Sequence, residues 1–75
     1  MKDSLKPLRV TYDSEADAAY IYFVPDIQPG GVAKTVPVGD GSEPWMVNLD
    51  VDDYGRLLGL EVLDARSLMP AALLE

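Results

Sequence analysis

Residues 45–63 read WMVNLDVDDYGRLLGLEVL, and the fold turns on how this stretch is read. Trp45, Val47, Leu49 and Val51 recur at every second position, with Met46, Asn48, Asp50 and Asp52 between them. Period two marks a strand with one buried face and one polar face. Asp52-Asp53-Tyr54-Gly55 supplies turn chemistry: carboxylates that bond their own backbone and a glycine free to take positive φ. A second apolar run, Leu57 to Leu63, follows at once, so the stretch predicts a β-hairpin. With a four-residue loop, Val51 faces Arg56, and Leu49 pairs with Leu58, Val47 with Leu60 and Trp45 with Val62. The large apolar groups then share one face, and Asn48, Asp50 and Glu61 share the other. A three-residue loop with a bulge places Glu61 beside Val47 on the buried face instead. Register is strongly specified where one face is buried, so the four-residue loop is the expected one.

The rest of the chain must fit around that hairpin with little material. Seventy-five residues make one domain near the lower limit for independent folding. There is no cysteine, hence no disulfide and no thiolate metal site, and no histidine, the commonest general base and zinc ligand. Small domains without such staples often gain stability by oligomerising. Thirteen acidic residues against six basic ones leave a net charge of −7. Met1 to Val10 carries +2 of its own, so the remainder carries −9. A surface of that sign repels phosphate backbones, which argues against nucleic-acid binding. The lysines near the N-terminus precede no apolar core of the signal-peptide kind, and no apolar run approaches the ~18 residues needed to span a bilayer. The expectation is a soluble cytoplasmic protein without a membrane segment.

In chain order, Met1 to Pro7 reads as a flexible lead-in. Leu8, Val10 and Tyr12 alternate with Arg9 and Thr11 as a first strand, and Asp13 to Asp17 forms the turn that follows. Ala19, Ile21 and Phe23 alternate with Tyr20, Tyr22 and Val24 in a second strand, apolar on both sides, which suits a central position or a subunit contact. Pro25 ends it, and a Pro/Gly-rich loop runs to Gly31. Val32 to Val38 is a third strand. Pro37 cannot donate to a ladder, so this strand belongs at an edge or ends early. After the hairpin, Asp64 is the candidate N-cap of a helix through Met69, and Pro70 opens a second short turn through Leu74. The predicted fold is α+β: a mainly antiparallel β-meander of about five short strands with a short C-terminal helix.

Three groups of residues invite chemical readings. Asp50, Asp52, Gly55 and Glu61 fall at the first, third, sixth and twelfth positions of a calcium-loop spacing. Tyr54 fails the fifth position and the flanks are strands where helices are needed, so no calcium site is expected. Asp13, Asp17, Asp50 and Glu61 are candidates for a carboxylate cluster doing acid–base or magnesium chemistry, set against turn capping and a solvated strand face. Tyr20, Tyr22, Trp45 and Tyr54 read as core or interface aromatics. Gly59 lies mid-strand, where a glycine signals a bulge or a close approach.

Two blocks carry a family resemblance. Tyr12-Asp13, with Ala16-Asp17 and Tyr20-Ile21, resembles the opening "YD…AD..YI" of a small bacterial family catalogued as domain of unknown function 2283. Leu49-Asp50-Val51-Asp52, with Gly55 to Leu63, resembles its second block, "LDvD.dGrlvGiEil". The matching positions of unknown role are Asp13, Asp17, Tyr20, Asp50, Gly55, Gly59 and Glu61. The resemblance implies a stand-alone bacterial domain with no established activity, so it transfers no catalytic, cofactor-binding or metal-binding residue. Some members sit, in genomic setting, like partners of toxin-like proteins, which implies protein binding.

The functional expectation is a homo-oligomeric protein-interaction module with no cofactor, a two-fold dimer being the favoured form. Its alternative is a small carboxylate-based enzyme or metal-binding protein with its site at a subunit interface. Apolar residues make up 48% of the chain, more than a small sheet and one short helix can cover. One side of the second strand, either Ile21 and Phe23 or Tyr20, Tyr22 and Val24, should therefore be left bare. Leu73 and Leu74 add to that excess. Exposed apolar surface of this kind marks an interface, and Tyr22→Asp is the disrupting change that this reading suggests.

Overall fold

The computed structural model describes residues 7–74, so of the expected lead-in only Pro7 falls within the described residues. Five strands form: β1 (Arg9–Asp13), β2 (Ala18–Tyr22), β3 (Lys34–Pro37), β4 (Met46–Val51) and β5 (Leu57–Leu63). One helical turn, α1 (Ala65–Leu68), and a 3-10 turn over Ala71–Leu73 complete the elements of the described residues.

The hairpin of β4 and β5 forms where the alternation put it, but in a different register. Gly55 N–H donates to the Asp52 carbonyl and Asp52 N–H donates to that of Arg56, both at 3.0 Å. The loop is therefore the three-residue one, Asp53-Tyr54-Gly55, and it opposes Val51 to Leu57. Continued unchanged, that pairing would set Glu61 against Val47. Instead the ladder shifts between Val51 and Asp50, leaving Leu58 as an extra residue on β5. Beyond it Asp50 faces Gly59, Leu49 faces Leu60, Asn48 faces Glu61 and Val47 faces Val62. Two one-residue offsets add to a full period of the pleat. The apolar residues keep their common face, and Glu61 escapes an apolar site where its charge would be costly.

Gly55 has φ 78°, in the left-handed region where a β-branched residue is strained. A Cβ there meets nothing within 4 Å, so any penalty comes from the backbone alone. Gly55→Val is expected to cost about 1–2 kcal/mol in urea unfolding, and Gly55→Asn much less, because asparagine tolerates that conformation. Equal losses for the two variants would contradict this account.

The sheet order is β1-β2-β5-β4-β3, with every neighbouring pair antiparallel. This corrects the meander. The last strand inserts between β2 and β4, because that position buries the Leu60 and Val62 side against apolar neighbours on both flanks. As expected, β2 is an interior strand, and β3 takes an edge and stops at Pro37.

The core sits at one end of a single sheet face. Ala19 is 2% exposed, Val62 5% and Ala65 of α1 0%, and Tyr12, Val47, Leu60, Leu68, Met69 and Leu74 pack around them. Trp45, expected inside, is 41% exposed, and no large side chain among the described residues is fully buried. The cause is dimensional. Strands spaced ~4.8 Å make a sheet roughly 19 Å wide, while a single helical turn is about 6 Å long.

Candidate functional site

The opposite, polar face carries a side-chain network that crosses the sheet. Tyr20 on β2 sits against Glu61 on β5, and Gly59 lies next along β5 against Tyr22. Because Gly59 has no side chain, the end of the Tyr20 ring passes close over it; a Cβ there would overlap the ring and hydroxyl. The ring thereby spans β5, and its hydroxyl donates to Asp50 Oδ2 on β4 at 2.7 Å. Thr35 Oγ1 on β3 donates to Asp50 Oδ1 at 2.6 Å. Asn48 Nδ2 donates to Glu61 Oε1 at 3.1 Å. On the other side Tyr22 meets Tyr20 edge-on with centroids 4.7 Å apart, and the Arg9 guanidinium stacks 3.8 Å above the Tyr22 ring. Burial, with the Asp50 carboxylate second, pushes the Tyr20 hydroxyl well above the ordinary tyrosine range. Its stabilising effect is thus full below pH ~10 and fades as the pH rises beyond that.

This network disposes of Tyr22 and Tyr20 as the bare side of β2. The half-covered apolar side is that of Ile21, which shares a groove of about 270 Å³ with Trp45, Val47, Leu60, Val62, Leu68 and Met69. Ile21 and Leu60 face each other in register with Leu49, and all three are only partly buried.

Asp13 and Asp17 act locally in the β1–β2 turn and its surroundings. Asp13 Oδ1 accepts from the Glu15 and Ala16 N–H groups at 3.0 and 3.3 Å, closing the turn. Asp17, at φ 51°, reaches out of it. Its Oδ1 accepts from the Tyr12 hydroxyl at 2.8 Å and from the Arg66 N–H at 3.0 Å, and its carbonyl accepts the Ala65 N–H at 2.9 Å. Arg66 Nη2 completes the circuit to the Tyr12 hydroxyl at 3.0 Å. Asp64, the expected cap, takes φ 56° and makes no side-chain cap bond. The cap of α1 is supplied from across the structure by Asp17. The Tyr12 hydroxyl, chiefly, holds the Asp17 carboxyl below its ordinary range.

Asp52 spends both oxygens on the hairpin loop: Oδ1 accepts from the Tyr54 and Arg56 N–H groups and Oδ2 from Arg56 Nε, each at 2.9 Å. Arg56 N–H is the main cause of its lowered pKa. Asp50 and Glu61, at the ends of the calcium-like spacing, are each bonded on the polar sheet face instead. Among the described residues no group of three or more Asp or Glu side chains converges as a metal site would require. Asp13, Tyr20 and Glu61 do share a shallow recess of about 260 Å³ with Thr11, Tyr12, Ala18 and Ala19. The carboxylates that shift, Asp17, Asp40 and Asp52, all shift down, the direction opposite to that of a general acid.

A family model described as Protein of unknown function (DUF2283) matches residues 9–66. The chain belongs to that family. No curated protein and no solved structure matches it. In this family member the motif positions resolve into physical roles: Asp13 and Gly55 shape turns, Asp17 caps α1, and Tyr20, Gly59, Asp50 and Glu61 build the polar face. Alternation already puts Asn48 on the polar face with Asp50 and Glu61, whereas sequence reasoning missed Tyr12, Thr35 and Arg66 as partners. Thr35 lies on the side of its strand away from Val36, which is a usable signal. Nothing local announces the bond between Asp17 and Arg66, 49 residues apart.

No helix among the described residues is long and apolar enough to cross a membrane.

Proposed function

We propose that this chain is a homo-oligomeric protein-interaction module whose working surface is the half-covered apolar face of the sheet. The observation that carries this reading is the thinness of the core. Among the described residues only Ala19, Val62 and Ala65 are buried apolar groups, while Ile21, Leu49 and Leu60 remain partly open beside the exposed Trp45. An apolar groove rimmed by a tryptophan has the composition of an interaction hot spot. The lowered carboxylate pKa values and the absence of a metal-like cluster among the described residues favour this reading over the carboxylate-enzyme alternative.

Trp45 is the sole tryptophan, so its fluorescence reports on the face directly. Light scattering at micromolar concentration is expected to give at least twice the 8.2 kDa chain mass. With a protein partner seated on the groove, Trp45 emission should shift to the blue, and Ile21→Asp should abolish that shift. A species of single-chain mass at every concentration would sink the homo-oligomer. Capture of a partner that leaves Trp45 emission unmoved would sink the groove as its seat.

A further inference from the structure

The two edges of the sheet differ in how they are defended. At one edge β3 carries Lys34 and Pro37, both standard deterrents to strand addition. At the other edge β1, Arg9-Val10-Thr11-Tyr12-Asp13, carries no lysine, no proline and no bulge, and pairs regularly with β2. The direction of its free backbone groups follows from the ladder. Phe23 N–H donates to the Leu58 carbonyl at 2.9 Å, so Phe23, Ile21 and Ala19 face β5 and Tyr22, Tyr20 and Ala18 face β1. Their partners Arg9, Thr11 and Asp13 turn inward to receive them. Val10 and Tyr12 therefore present their N–H and C=O groups outward, unpaired by any strand among the described residues.

That strand is also self-complementary when read against itself in the antiparallel sense. Centred on Thr11, Arg9 of one copy falls opposite Asp13 of the other, Val10 opposite Tyr12, and Thr11 opposite Thr11. Opposite charges, an aromatic with a β-branched residue, and a threonine pair are all favourable cross-strand pairs. The groups needed are present. Arg9 has a half-exposed side chain, with contacts to the Pro25 carbonyl, Asp26 and Tyr22 and donors to spare. Asp13 uses only Oδ1 in its turn. The strand is charge-neutral on a chain of net charge −7, so two copies meeting here avoid the repulsion that other surfaces would impose.

We infer that two copies of this chain pair antiparallel through β1 about a two-fold axis at Thr11, making one ten-stranded sheet. The pairing adds four backbone hydrogen bonds, between Val10 and Tyr12 on either side of the axis. The axis stands perpendicular to the sheet, so the two apolar faces end on the same side and merge into one platform. This deepens the module reading and rests on it only for the platform's use: the edge pairing leaves each groove, with Trp45, free for another protein.

The test uses the charge pair. Arg9→Asp and Asp13→Arg each place like charges opposite one another twice per dimer, and each is expected to raise the dimer Kd on the order of tenfold or more. Mixed in equal amounts, the two variants restore opposite charges at both positions and should form a heterodimer at wild-type strength. Failure of the mixture to associate, with each variant folded by circular dichroism, would overturn the edge pairing. Hydrogen exchange on the unmodified protein gives a second readout. The Val10 and Tyr12 amides should be protected in a concentration-dependent way. A dimer in which they exchange like open amides would overturn the edge while leaving the groove reading intact. A Trp45 emission unmoved by dilution through the dimer transition confirms that the groove is not the dimer contact, and a shift there would overturn the edge assignment.

Discussion

Gly59→Val is expected to destabilise this domain by about 2 kcal/mol or more, because the part-exposed end of the Tyr20 side chain must swing aside and give up its bond to Asp50. The branched side chain would occupy the volume of the end of the Tyr20 ring, which passes close over the glycine. Overpacking alone costs roughly 1–3 kcal/mol. Displacing the ring also strips Asp50 of its tyrosine donor, and an unmet partly buried acceptor adds about 1–3 kcal/mol. For a chain this short a loss of that size is a large fraction of the total stability. The diagnostic is a double-mutant cycle read by urea unfolding. Tyr20→Ala makes room for the valine, so the pair Tyr20→Ala with Gly59→Val should lose markedly less than the two single losses added together. Simple additivity would show that the ring is not what forbids a side chain at this position.

The second large effect concerns Asp17, which ties the β1–β2 turn to α1 through three groups: the Tyr12 hydroxyl, the Arg66 N–H and, by its carbonyl, the Ala65 N–H. Asp17→Ala removes the side-chain bonds and places an alanine at φ 51°. Thermal unfolding should show Tm lower by on the order of 10 °C. Asp17→Asn keeps the acceptor and tolerates that conformation, so its loss should be much smaller at neutral pH. Acid separates the two further. The Asp17 carboxyl is held below its ordinary range by the Tyr12 hydroxyl first and by Arg66 after it. Its contribution is therefore present above the unfolded value near pH ~4 and lost as the pH falls through the lower folded value. An asparagine side chain does not titrate, so the Asp17→Asn variant should lose less than the parent as the pH falls from about 4 to about 2. Identical acid profiles would remove the carboxylate from this role.

The hairpin shows what is legible in the sequence and what is not. Alternation places Val47, Leu49, Leu60 and Val62 on one face correctly, because period two is a property of every extended chain. The expected pairing is off by two residues, since the three-residue loop and the extra residue at Leu58 each move it by one. Neither is visible alone, because together they preserve the pattern that a reader of the sequence uses. Strand order is hidden for another reason. Val62 and Leu60 offer the same apolar side to β2 and to β4, so nothing local says that β5 lies between them. Gly59 is recognisable as a signal of close approach, but the approaching group is a side chain from β2 rather than a backbone. The cap of α1 is expected from its neighbour Asp64 because capping is normally local, whereas the acceptor comes from Asp17.

The central place of β5 also sets how the chain must assemble in time. β1 with β2, and β3 with β4 and β5, are each joined in sequence order and can pair across short loops, on the microsecond scale of hairpins. Joining the halves requires Ala18 to find Leu63 and Tyr22 to find Gly59, closures of roughly forty residues that carry most of the entropic cost. The rate-limiting event is therefore the meeting of β2 with β5, and mutations at Ala19 or Val62 should slow folding more than mutations in β3, which should mainly hasten unfolding. On the ribosome the sheet stays in two pieces until residues 57–63 emerge, because the strand that joins β2 to β4 is made after both of them.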